Sequence, residues 1–188
     1  MFDTIAGLPI HPLVVHAVEV IVPLAAVVVL LAALWPRFRR WAYLLPAILG
    51  LAALVLVPVA TQSGEALEER VDETAAVEAH THMGEDLTPW VIGLAVVALA
   101  LTWWSWRERS TLRDSAQGTP DHPARGRPRA AGVPAWLPVV LVVGALVTAG
   151  GTVYQSVRIG HSGATAVWGE AGQDSPSGDE GGEGEDDD

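Results

Sequence analysis

The sequence predicts an all-α integral membrane protein, a four-helix bundle, and three observations carry that expectation. Four apolar stretches, 13–34, 41–60, 89–106 and 136–156, are each about the length of a bilayer crossing. A crossing helix takes ~20 residues, because the hydrocarbon layer is ~30 Å thick and each helical residue rises ~1.5 Å. The stretches are rich in Ala, Leu and Val and lack the alternation of a barrel strand, and lipid leaves backbone groups no partner outside a helix. Nine of the eleven basic residues fall on one side of the predicted spans.

The first span follows Pro12, a residue suited to a helix start, where a missing N–H costs nothing. Residues 1–12 have no basic region and no small-residue cleavage site before the apolar run, so this span is expected to stay in the mature protein. Between spans two and three, residues 63–86 are rich in Ala, Leu, Glu and Val and predict a helical segment on the outer side. After span three, residues 107–135 carry Pro120, Pro123, Pro128 and Pro134 among Arg, Gly and Ser, which predicts a flexible cytoplasmic linker. The membrane domain then spans 1–169, and 170–188 is an acidic tail with nine acids and no base, expected to be disordered. Most of the formal charge of −11 belongs to that tail, not to the bundle.

Arginine placement sets the orientation, since positive loops are retained in the cytoplasm. Arg37, Arg39 and Arg40 follow span one, and Arg107, Arg109, Arg113, Arg125, Arg127 and Arg129 follow span three. The loop between spans two and three holds eight acids against Arg70. Both termini are therefore expected outside the cytoplasm. The loop arginines lie where anionic lipid headgroups would be and carry no recognition fold, so no nucleic-acid partner is predicted. An arginine-only, Ala/Val/Gly-rich composition fits a bacterium, and the expected location is the plasma (inner) membrane.

The absence of cysteine excludes disulfides, thiolate metal sites, covalently attached c-type haem and a cysteine nucleophile. The absence of lysine excludes Schiff-base chemistry on that side chain. No His-Glu-x-x-His, nucleophile elbow or Gly-x-Gly-x-x-Gly order occurs, so a stand-alone enzyme is not predicted.

Five of the six histidines sit at or beyond the outer ends of the spans. His11 and His16 open span one, and Glu19, the only acid inside a span, shares a helix face with His16. A carboxylate at membrane depth normally faces a partner or a wet cavity, so Glu19 reads either as a functional group or as half of an ion pair with Arg158. On a helix His80 and His82 point ~200° apart and cannot easily share one ion. His80 lies on the side of Met83 and Leu87 and is the inward candidate, while His82 is expected in solvent. Arg158 and His161 stand one turn apart beyond span four, and Gly160 and Gly163 beside them either admit a planar ligand or end the helix. His122 falls in the cytoplasmic linker and joins no site.

At these residues the chain resembles a known family. His11-Pro12-x-x-Val15-His16, Gly64-Glu65, His80-x-x-x-Gly84-Glu85 and Gly160-His161-x-Gly163-Ala164-x-x-Val167 are similar to the bacterial membrane proteins grouped as domain of unknown function 2231, over residues 8–169. Two positions depart from the usual pattern: Ala17-Val18 stands where many members have Phe-Pro, and Gly163-Ala164 stands where Gly-Gly is usual. The resemblance implies a four-helix inner-membrane domain, joined in some chains to cytochrome-like domains, and no established activity.

The leading functional reading is a haem b or transition-metal site at the outer end, serving electron transfer. Imidazoles from separate helices can bind iron axially without covalent attachment. His16 and His161 are the preferred ligands, for a metal ion as for haem, with His80 and then His11 next, Arg158 as a propionate partner and Glu19 fixing imidazole orientation. The alternative is a cofactor-free membrane scaffold or subunit in which the histidines and Glu19 form a hydrogen-bonded network that recognises a redox or complex partner. A small proton-coupled transporter using Glu19 and His16 is the third reading.

Overall fold

A computed structural model describes residues 4–5, 8–68, 80, 82–117 and 134–168. The tail, most of the segment between spans two and three, and most of the linker after span three lie outside the described residues. Four long helices make the bundle predicted from the sequence: α1 (Ile10–Leu34), α3 (Leu45–Glu68), α4 (Thr88–Gln117) and α5 (Trp136–Trp168), with the short α2 (Pro36–Trp41) between the first two. All four long helices are long and apolar enough to cross a membrane. A two-residue ribbon, Thr4–Ile5 paired with Leu8–Pro9, precedes α1.

Each helix buries one narrow face; that of α1 is made of small residues, with larger ones turned outward. In α1 the buried set is Val22, Ala25, Ala26, Val28, Val29, Ala32 and Ala33, while Val20, Leu24, Val27 and Leu31 are exposed. Along α4 and Leu87 just before it, a seam of Leu87, Val91, Leu94, Ala98, Leu101 and Ser105 alternates four and three apart. Ala53 on α3 and Ala145 and Ala149 on α5 complete the interior. Lipid tails are as apolar as leucine, so burying leucine inside gains little. Close backbone approach across alanine and glycine gains dispersion instead, and that explains the small interior and large exterior.

The helices form a ring in which α1 packs on α3 and α5, and α4 packs on α3 and α5. Glycines mark the tightest points of that ring. A Cβ on Gly50 would lie 3.0 Å from the Ala98 Cβ, and one on Gly93 would lie 2.9 Å from Thr148 Cγ2. At Gly151 a Cβ would run into the Trp90 ring, so the indole occupies the space the missing side chain leaves. Pro23 and Pro58 stand inside α1 and α3, where each lacks an N–H and leaves the carbonyl four residues earlier without its helical partner.

The two ends differ in chemistry. At one end the buried Arg39 of α2 donates to Glu108 of α4 at 3.1 Å and lies 4.0 Å from the Trp104 ring centroid. Beside it, Arg109 lies 4.0 Å from the Tyr43 ring centroid and donates to the Arg40 carbonyl. Trp35, Trp41, Trp103, Trp106 and Trp136 are exposed around this arginine end, where indoles favour the membrane interface. The opposite end carries the histidines. Beneath them lies a small core of Val22, Ala53, Val57, Leu87 and Val91, with Val18, Ile21, Leu54 and Ile159 against it.

Three helices run further than the apolar stretches that announce them, α4 as far as Gln117. α3 continues through Gly64 to Glu68, and α5 continues through Gly160 and Gly163 to Trp168. Gly160 and Gly163 are therefore not helix terminators here. Each is a contact point: the Glu19 carboxylate would lie 3.5 Å from a Cβ on Gly160, and the His80 ring 3.1 Å from one on Gly163.

Candidate functional site

His11 lies in the first turn of α1, and its ring reaches across to the last turns of α3. Its Nδ1 donates to the Ala60 carbonyl at 3.1 Å and to Ser63 Oγ at 3.2 Å. The Ser63 hydroxyl itself donates to the Ala60 carbonyl at 2.9 Å, a bond that bends the side chain back along its own helix. A carbonyl only accepts, so the bond to Ala60 assigns the proton to His11 Nδ1. The ring rests on Gly64, with its Cε1 3.0 Å from where a Cβ would stand.

His80 repeats this arrangement on the other half of the bundle. Its Nδ1 pairs with Ser162 Oγ at 2.9 Å, and the Ser162 hydroxyl donates to the Ile159 carbonyl at 2.8 Å. With the hydroxyl proton engaged, Ser162 Oγ accepts and His80 Nδ1 donates. The ring rests on Gly163, as His11 rests on Gly64. Both imidazoles are half-buried. Burial holds His80 below the ordinary histidine value, because a charged ring there would be poorly hydrated.

The remaining candidates sit around this pair. His16 and His161 are exposed, and His16 Nδ1 donates to the Pro12 carbonyl of its own helix at 2.6 Å. Glu19 is exposed and lies against Gly160 of α5. Arg158 lies 4.0 Å from Met83 Sδ and 5.9 Å from the Tyr154 ring centroid, and among the described residues it makes no ion pair with Glu19. His82 is exposed. Gln155, buried on α5, donates to the Met83 carbonyl at 3.3 Å and ties the approach to α4 onto α5. Among the described residues no three His, Asp or Glu side chains converge as a metal-binding group.

Ser63 and Ser162 are the partners that residue type alone does not announce. The signal for them is a recurrence: Ser-Gly follows both returning spans, at 63–64 and 162–163, and a histidine precedes both outgoing ones. Chemically, the end of the bundle offers two imidazoles from different helices, each anchored through one nitrogen. Such groups can donate a lone pair to a metal, take up a proton, or clip helices together.

Comparison with known sequences adds the family. The model described as predicted membrane protein, domain of unknown function 2231, matches residues 7–175. No curated protein and no solved structure matches the chain.

Proposed function

We propose that this chain, which belongs to the domain of unknown function 2231 family of predicted membrane proteins, is a membrane-embedded electron-transfer component. On this reading it holds haem b or a transition metal at its histidine end, on the extracytoplasmic side of the bacterial plasma membrane. The observation that supports the reading is that His11 and His80, half-buried imidazoles from separate parts of the chain, stand at the same end of the bundle, each oriented through Nδ1. A histidine ligand is normally held in this way, with its far nitrogen hydrogen-bonded so that the near one points at the metal. His16 and His161 remain available as exposed imidazoles at the same end, with Arg158 and Glu19 between the helices. Arginine placement supports the orientation, and with it a redox or membrane-complex partner outside the cytoplasm.

The test is a single preparation. Protein expressed with haem available and purified in detergent is examined by absorption spectrum, metal content and potentiometry. A bound centre with a reversible reduction supports electron transfer, and its loss in His11→Ala and His80→Ala locates the site.

A second reading is favoured by the glycine contacts. Each imidazole lies on a bare stretch of the helix it bonds to, which makes it a clip between helix ends. The protein would then be a scaffold or subunit with no cofactor, offering this end to a partner. A colourless, metal-free, folded preparation whose melting temperature falls in the same two variants supports that reading instead.

A further inference from the structure

The four long helices form two hairpins, α1 with α3 and α4 with α5, and α2 lies in the connection that closes the first. Two arginines hold that connection against α4. Arg39 of α2 donates to Glu108 of α4, while Arg109 of α4 donates to the carbonyl of Arg40 and lies 4.0 Å from the Tyr43 ring centroid. The Arg109 guanidinium therefore stands at the root of the Arg40 side chain. Arg37 lies one turn before Arg40 on α2, and residues three apart share a helix face. Three cationic residues from two helices thus meet on one patch.

Arg37, Arg39, Arg40, Arg107 and Arg109 stand at this end against one carboxylate with a described side chain, Glu108, which Arg39 already holds at 3.1 Å. Among the described residues Arg37, Arg40 and Arg109 form no ion pair, and the Arg37 and Arg40 side chains are exposed. Like charges gathered in this way repel one another, and an anion from outside relieves them. The tryptophans fix the depth of the patch. Trp35 precedes Arg37 by two residues and Trp106 immediately precedes Arg107, and both indoles are exposed, as are Trp41 and Trp136. Indoles favour the level where hydrocarbon gives way to headgroups. Two helices independently put tryptophan on the apolar side of their arginines, which sets the guanidinium groups at the height of headgroup phosphates. The guanidinium fork matches a pair of phosphate oxygens.

We propose that Arg37, Arg40 and Arg109 form a binding site for the phosphodiester headgroup of an acidic phospholipid, on the face where α2 meets α4. The occupant is a lipid and not free phosphate, because the exposed indoles beside the arginines offer apolar surface for acyl chains that an inorganic ion would leave bare. It is acidic and not zwitterionic, because an ammonium or choline group would bring a further cation to a patch that already holds three. Arg109 is tied to the Arg40 carbonyl, so the bound headgroup bridges the two hairpins beside the Arg39 and Glu108 pair and stabilises the folded chain by mass action. The site lies at the opposite end from the histidines and does not depend on the cofactor reading.

The test uses full-length protein, delipidated in a neutral detergent and titrated with phosphatidylglycerol or with phosphatidylcholine of the same acyl chains. Native mass spectrometry counts the lipid retained, and the melting temperature reports its effect on the fold. Phosphatidylglycerol should be retained, should raise the melting temperature and should be released at high salt, while phosphatidylcholine should be lost and leave the melting temperature where it was. An arginine close to an anionic headgroup contributes about a fivefold gain in binding, so Arg37→Gln combined with Arg40→Gln should weaken retention about 25-fold. Both side chains are exposed and make no ion pair among the described residues, so the melting temperature of that double variant without lipid should stay near wild type. Arg37→Lys combined with Arg40→Lys keeps the charge and should recover most of the binding. Arg158→Gln removes an exposed arginine at the histidine end and should leave retention unchanged. Equal retention of the two lipids, undiminished phosphatidylglycerol in the glutamine pair, or an equal loss in Arg158→Gln overturns the proposal. So does displacement of the lipid by inorganic phosphate at the same concentration.

Discussion

Replacing Glu108 with glutamine removes the anionic half of the ion pair that joins α2 to α4, and the structure predicts an asymmetric cost. The Arg39 side chain is 5% exposed and that of Glu108 is 32% exposed, at 3.1 Å between Nη2 and Oε1. Arg39 also lies 4.0 Å from the Trp104 ring, and its buried Nε has no partner among the described residues. Removing one member of a buried pair typically costs about 3–5 kcal/mol, because a charge is stranded away from water. Glutamine keeps an acceptor for Arg39, and a third of Glu108 already meets solvent, so about 2–3 kcal/mol is expected for Glu108→Gln. Arg39→Met leaves a carboxylate that is already a third exposed, and the methionine still packs on Trp104. Its expected cost is smaller, about 1–2 kcal/mol, mainly the lost pair and the cation–π contact. The double variant should cost less than the sum of the two, with a coupling of about 1–2 kcal/mol. Equilibrium unfolding in mixed micelles, followed by circular dichroism, measures all three. Additive costs, or Arg39→Met costing more than Glu108→Gln, would refute the argument that the stranded buried cation dominates.

Other substitutions and conditions test different parts of the bundle. Gly151→Ala places a methyl group inside the Trp90 ring and should destabilise by about 1–3 kcal/mol through forced repacking, while Gly150→Ala, whose Cβ meets open space, should be near neutral; equal melting temperatures would remove Trp90 from the account. Thr152 is fully buried and its hydroxyl has no partner among the described residues, so Thr152→Val should raise stability by about 1 kcal/mol; a fall would mean that the hydroxyl is satisfied. His80 is held below its ordinary value of about 6.5, so the unfolded chain takes up this proton first. Its contribution is complete above pH ~6.5 and is lost as pH falls from there through the folded value. The melting temperature should therefore drop between pH 7 and 5 less steeply in His80→Gln than in wild type, and a steeper drop in the variant would reverse the sign of the argument.

The bundle is legible in the sequence because the bilayer imposes a length and a composition on every crossing. The helix ends are less so. Gly160 and Gly163 could end the helix in a linear reading, but α5 runs through them, because tertiary contacts supply what a glycine loses as a helix former. The inward side of His80 follows from its register with Leu87, which is buried. The pairing of His11 with Ala60 and Ser63 does not, since it joins residues 49 and 52 positions apart and depends on how two helices cross. His16 and His161 have the same residue type and similar depth in the sequence as His11 and His80. What separates them is the face of the helix each occupies, and only packing decides that.

The polar ties of the bundle are unevenly distributed between its halves. Arg39 to Glu108 and Arg109 to the Arg40 carbonyl both stitch the first hairpin to the second at the arginine end. The bonds made by His11, His80 and Gln155 each stay within one hairpin. The molecule is thus built like tweezers, riveted at one end, with two self-contained tips. Among the described residues the two hairpins meet at the histidine end through the core of Val22, Ala53, Val57, Leu87 and Val91, whereas separation at the rivet strands a buried guanidinium. Amide hydrogen exchange should accordingly be faster over 158–164 than over 38–42.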